Sequence, residues 1–148
     1  MHNSFSRINH HNRIFFTTNT LYRIAIINLT HEAKGLDTYE KTREKFLACQ
    51  DKRSLSILDH NYHEEIGHVA IGLKWFQYIS ADRQYDSSCI LSPDNTYLDV
   101  DSQHGSSCID YFHRLSKQYF RGKLKEPFNH TARSQAGLTK EWYLPLAK

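Results

Sequence analysis

Glu65 and His68 stand one helical turn apart in a segment whose apolar residues recur at helical spacing: Leu55, Leu58, Tyr62, Ile66, Val69, Leu73 and Phe76. Both fall in the gaps of that series, on or beside the face that should be buried. A buried carboxylate and imidazole cost several kcal/mol, to order of magnitude, unless something pairs with them. A metal ion suits the i, i+3 spacing of Glu65-Ile-Gly-His68, because adjacent turns of a helix present both side chains to one point. In a helical bundle, Glu-x-x-His on one helix and a Glu on its neighbour make half of a carboxylate-bridged two-metal site. Glu32 is the upstream candidate for that second carboxylate. Carboxylate and imidazole ligands fit iron or manganese, with zinc left open. The competing reading makes His68 a hydrogen-bonded core histidine and Glu65 a rim residue.

Other chemistry finds less support. His63-Glu64 suggests a zinc-protease motif, but that motif needs histidines four residues apart, and His63 and His68 are five apart. Glu64 reads as a surface pair. Asp59 and Tyr62 precede the motif by a turn or more, where they could orient a ligand; Tyr62 is more simply core. No cysteine neighbours a histidine at a helix start, and neither a nucleophile elbow nor a phosphate-cradling glycine loop occurs.

The elements that must hold these residues follow from periodicity and punctuation. The spacing predicts a helix over Thr20–Lys34 ending at a Gly35 cap, with Leu21, Ile24, Ala25, Asn28 and Glu32 along one face. Leu36-Asp37-Thr38 reads as a link into a second helix near Tyr39–Ala48, whose Glu40, Lys41, Arg43, Glu44 and Lys45 form a solvated surface. A third helix over Lys52–Ser80 has the strongest pattern and would run roughly 40 Å. Ala81–Ser107, rich in Asp, Ser and Asn, reads as a loop insertion. Helical spacing returns at Cys108–Phe120 (Ile109, Phe112, Leu115, Tyr119). The C-terminal residues read as an extended segment, a short helix and a wrapping tail. No strand pair stands out, so the expected class is all-α.

The 148 residues suffice for one domain. Residues 1–20 are Asn-, His-, Ser- and Thr-rich and read as disordered or targeting-like: arginines occur before the first acidic residue, Glu32, yet the amphipathic pattern is weak. A net charge of +3 with scattered basic residues argues against nucleic acid. No apolar run reaches membrane-spanning length. Three cysteines (Cys49, Cys89, Cys108) without a secretory signal predict free thiols in a reducing intracellular compartment, cytoplasmic rather than mitochondrial.

Three blocks, in order, carry a resemblance: His31-Glu-Ala-Lys-Gly-Leu-Asp37; Glu65-Ile-Gly-His-Val-Ala-Ile-Gly72 with Trp75-Phe76; and Leu124-Lys-Glu-Pro-Phe-Asn129 with Ala132-Arg133 and Ala136-Gly137. They resemble DUF455, an uncharacterised ferritin-like family, over about Leu21–Ala147. The resemblance implies a four-helix ferritin-like bundle with a di-iron or di-manganese site, in which Glu32 matches the single-Glu helix and Glu65 with His68 the Glu-x-x-His helix. The preceding helix pair, with its own ligands, has no counterpart before Glu32. The expectation is therefore a partial ferritin-like bundle, a C-terminal half joined to an unrelated start. Residues 21–148 would form a truncated domain interrupted at 81–107. One chain would then supply too few ligands for two metals. A metal-dependent oxidoreductase would need a homodimer or a partner supplying the missing helix pair. The alternative is a non-catalytic remnant, a helical interaction module without metal.

Overall fold

A computed structural model of the chain describes residues 20–83 and 107–147. Over these residues the protein is all-α, with no strand beyond one isolated bridge between Leu124 and Ala147. The expectations for residues 1–19, and for the insertion over residues 84–106, lie outside the described residues.

Helix α1 runs without a break over residues 20–48. It starts α-helical, widens to a π-helical stretch at Ile27–Glu32, and returns to α-helix over Ala33–Ala48. The expected stop at Gly35 does not occur, and residues 36–38 are helical rather than a link. A glycine inside a helix costs only about 1 kcal/mol relative to alanine. Complete burial of Ala33 and Leu36 on either side holds the helix through that position. The π-helical stretch has its own consequence. At 3.6 residues per turn, a stripe repeating every four residues drifts around the helix. One wider turn takes up a residue, so Leu21 and Ala25 stay on the buried side with Ala33 and Leu36. The buried Thr30 hydroxyl donates to the Ala25 carbonyl (2.8 Å) within this stretch.

A short turn reverses the chain. Asp51 N–H donates to the Phe46 carbonyl and Gln50 N–H to the Leu47 carbonyl, with Gln50 at φ 55° in the left-handed position that closes many helices. Asp51 then caps helix α2, Lys52–Arg83, by accepting from Ser54 N–H at 3.0 Å. Hydrogen bonds from Ser54 hold the Asp51 carboxyl below its ordinary pKa.

Contacts between α1 and α2 descend in register: Asn28 meets Gly72, Glu32 lies by Glu65 and His68, Tyr39 stacks on Tyr62, and Arg43 reaches Asp59. The pair is therefore antiparallel. Along α2 the apolar series is buried best at Val69, Leu73 and Phe76, while Tyr62 and Ile66 are partly buried.

Helix α3, Cys108–Tyr119, opens with a capping box in which Ser107 and Asp110 each bond the other's backbone N–H. It buries Phe112 and Leu115, and Phe76, Phe112 and Trp142 form an aromatic cluster with centroids 5.4–6.1 Å apart. Burial raises the thiol pKa of Cys108 at its start. The remaining chain wraps the hairpin through a short helix α4, His130–Gln135, and α5, Lys140–Tyr143, which runs on into a 3₁₀ turn at Leu144–Leu146.

One ion pair ties that wrap to the hairpin. Arg133, 1% exposed, donates from Nε and Nη2 to the two oxygens of Asp37 at 2.8 and 2.6 Å. Its guanidinium lies over the rings of Tyr143 and Phe128, 4.5 and 5.1 Å from their centroids. Asn129 adds three bonds: its N–H to Asp37, and its side-chain amide to Tyr62 hydroxyl and the Leu36 carbonyl. Asp37 thus belongs to the framework, although the sequence suggests a linker residue. Removing one partner of such a buried pair leaves the other uncompensated. Asp37→Ala should lower the unfolding free energy by about 3–5 kcal/mol, whereas Arg43→Ala at the half-exposed Arg43–Asp59 pair should cost less than about 1 kcal/mol. Urea titrations of the two variants followed by circular dichroism measure the contrast.

Candidate metal centre

The antiparallel register places Glu32 of α1 opposite Glu65 and His68 of α2. One ligand atom from each lies within 4.8 Å of the others, the one such grouping among the described residues. Glu32 is fixed from its own helix: Asn28, one turn earlier, donates from its amide to Glu32 Oε2 at 2.8 Å. Sequence reasoning puts Asn28 on this face but gives it no part in the site. Its i, i+4 spacing to Glu32 is the signal that points there.

Glu65 and His68 do not lie within the buried stripe. The Glu65 side chain is 38% exposed and that of His68 54%. Each residue turns a helix by about 100°, so His68, one step before the buried Val69, comes out at the rim of the hairpin. The large burial cost expected for this imidazole is absent. A smaller orphan remains: Glu65 Oε2 is itself buried and has no hydrogen-bond partner among the described residues. The His68 Nδ1 atom stands 3.6 Å away, outside hydrogen-bond reach.

The neighbouring candidates serve other contacts. Asp59 accepts from the Tyr39 hydroxyl at 2.8 Å and from Arg43 Nε at 3.3 Å, and partial burial together with that carboxylate raises the Tyr39 pKa. Tyr62 stacks on Tyr39 with centroids 3.7 Å apart. Glu64 pairs with His60 at 3.3 Å on the exposed side, and His63 bonds the Asp59 carbonyl. None of these orients a ligand in the cluster.

Gly72 lets the two helices come together beside the site. A Cβ there would lie 2.5 Å from Asn28 Cβ and 3.0 Å from its Cγ, which no adjustment of a flexible tip relieves.

The geometry defines an all-α protein with a carboxylate–imidazole cluster on the rim of a helical hairpin. Residues 10–144 match the family described as protein of unknown function (DUF455), and the chain belongs to that family. An uncharacterized protein of Haemophilus influenzae is 29% identical over 118 residues, covering 80% of this chain and 34% of the relative. The chain thus spans about a third of that relative's length. No solved structure matches it. The match begins at residue 10, well before Leu21, so reading the resemblance as a C-terminal half behind an unrelated start is not borne out. A lack of acidic residues before Glu32 withholds ligands without showing a foreign origin.

Gly72→Ala should destabilise the fold by about 1–3 kcal/mol through forced repacking. Asn28→Ala, which removes a hydrogen bond and frees space, should cost about 1 kcal/mol. Denaturant midpoints of both variants, at constant slope, check the order.

Proposed function

We propose that this chain is a metal-binding protein of the ferritin-like kind, in which Glu32, Glu65 and His68 hold an iron or manganese ion, with zinc as a third candidate. The observation carrying this reading is the convergence of three ligand atoms within 4.8 Å, beside a buried Glu65 oxygen that makes no hydrogen bond among the described residues. The donor set fits: two carboxylates and one imidazole suit these ions, and the orphaned oxygen gains a cation. Asn28 acts as the positioning residue, holding Glu32 by its amide so that one carboxylate oxygen is committed and the other is left for the ion.

An ion held here supplies Lewis acidity and, for iron or manganese, electron transfer, which is the chemistry of a metal-dependent oxidoreductase. The chain's own residues bring negative charge from Glu32 and Glu65 to balance the cation. His68, half exposed, forms the open edge at which a further ligand or substrate would enter. Among the described residues no helix is long and apolar enough to cross a membrane.

A second reading, a helical interaction module without metal, is favoured by the exposure of His68 and of Ile71, Trp75 and Tyr78 on the same helix. Calorimetric titration with Mn(II), and anaerobically with Fe(II), separates the two. The metal reading predicts saturable binding that weakens more than about 100-fold in Glu65→Ala and His68→Ala and about 10–100-fold in Asn28→Ala, with far-ultraviolet circular dichroism unchanged. Absence of binding in the parent chain, together with a stability gain in Glu65→Leu, would overturn the metal reading and favour the metal-free module.

A further inference from the structure

The Glu32, Glu65 and His68 cluster lies between two places where α1 and α2 are joined. On one side is the Asn28–Gly72 approach, one turn before Glu32 and one turn after His68. On the other side the joint is made by a residue of neither helix. Asn129, at the N-terminus of α4, donates from its side-chain amide to the Tyr62 hydroxyl of α2 at 3.1 Å and to the Leu36 carbonyl of α1 at 3.4 Å. Tyr62 stands three residues before Glu65 and Leu36 four residues after Glu32, about one helical turn in each case.

Every polar group of Asn129 is engaged. Its backbone N–H donates to Asp37 Oδ1 at 2.9 Å, and its carbonyl accepts from Arg133 N–H at 3.0 Å. Its side-chain oxygen caps α4 by accepting from Ala132 N–H at 3.0 Å. The amide is therefore aimed at both helices by the same bonds that begin α4. The ligands of one ion must be held to within about 0.5 Å by the groups behind them. Glu32 and Glu65 stand on different helices, so their separation follows the spacing of α1 and α2. The Asn28–Gly72 approach holds that spacing at one end of the cluster, and Asn129 holds it at the other.

We infer that Asn129 is a positioning residue for the Glu32, Glu65 and His68 cluster: it clamps α1 to α2 one turn from the ligands, so that docking of the C-terminal wrap and occupation of the metal site favour each other. This role rests on the metal reading and adds a coupling to it. Asn129 bonds none of the three ligands, and Tyr62 receives the clamp without orienting a ligand. Such coupling is reciprocal. The factor by which the docked wrap raises ion affinity is the factor by which the ion favours docking.

The test is Mn(II) titration of the full chain by calorimetry, at a temperature where circular dichroism shows every variant folded. Asn129→Ser keeps an oxygen suited to capping α4 but has no amide to reach Tyr62 or Leu36. Tyr62→Phe removes the hydroxyl and leaves a ring to stack on Tyr39. Each should weaken Mn(II) binding about 3–30-fold, and the double variant should match Asn129→Ser alone, because both changes break one contact. Phe112→Leu loosens the aromatic cluster away from the clamp; it should lower the melting temperature and keep parent-like affinity. In the parent chain, saturating Mn(II) should slow hydrogen exchange over α4 by a factor comparable to the affinity lost in Asn129→Ser. Parent-like Mn(II) affinity in folded Asn129→Ser and Tyr62→Phe would overturn the positioning role and leave the metal reading standing. An equal loss of affinity in Phe112→Leu would also overturn it, by reducing the effect to stability. No Mn(II) uptake by the parent chain would overturn both.

Discussion

The close approach of α1 and α2 at Gly72 and Asn28 is the constraint on which the candidate site depends. Because residue 72 has no side chain, Asn28 can lie against the α2 backbone, which fixes how far one helix is advanced along the other. That register decides everything four residues on. It sets Glu32 opposite Glu65 and His68, and further along it stacks Tyr39 on Tyr62 and brings Arg43 to Asp59. A slip by one turn would move Glu32 about 5 Å along the axis and out of reach.

Two devices defend this register. The π-helical stretch Ile27–Glu32 keeps the buried residues before and after it on one side of α1, and it ends at the candidate ligand Glu32. Single π turns in α-helices are frequent at functional sites, where they re-aim a side chain. The second device is the Asp37–Arg133 pair, five residues beyond Glu32, which anchors the C-terminal wrap to the hairpin through a guanidinium lying over the rings of Tyr143 and Phe128. The desolvation cost of these charges is offset by bidentate geometry and by the added bonds of Asn129. The pair contributes orientation more surely than net stability.

Much of this was legible in the sequence. The long pattern from Lys52 and the shorter one from Cys108 gave helices with the right beginnings. The grouping of Glu32 with Glu65 and His68 was visible because i, i+3 spacing and an antiparallel neighbour suffice to bring such residues together. Burial was not legible to the same precision: one residue is 100° of helix, so a gap in an apolar series can face the core or the rim, and His68 took the rim. Gly35 misled because a glycine's modest local penalty was outweighed by the packing of Ala33 and Leu36. The Asp37–Arg133 pair joins residues 96 apart, and no local pattern announces such a contact. The π turn was hidden for a similar reason, since it answers to packing along the whole hairpin.

The central claim is that Glu32, Glu65 and His68 together hold a metal ion. Crystals grown with Mn(II) and measured across the manganese absorption edge test it most directly. An anomalous peak bonded to all three residues is the result this account predicts. A peak elsewhere on the chain, or none at saturating Mn(II), would contradict it.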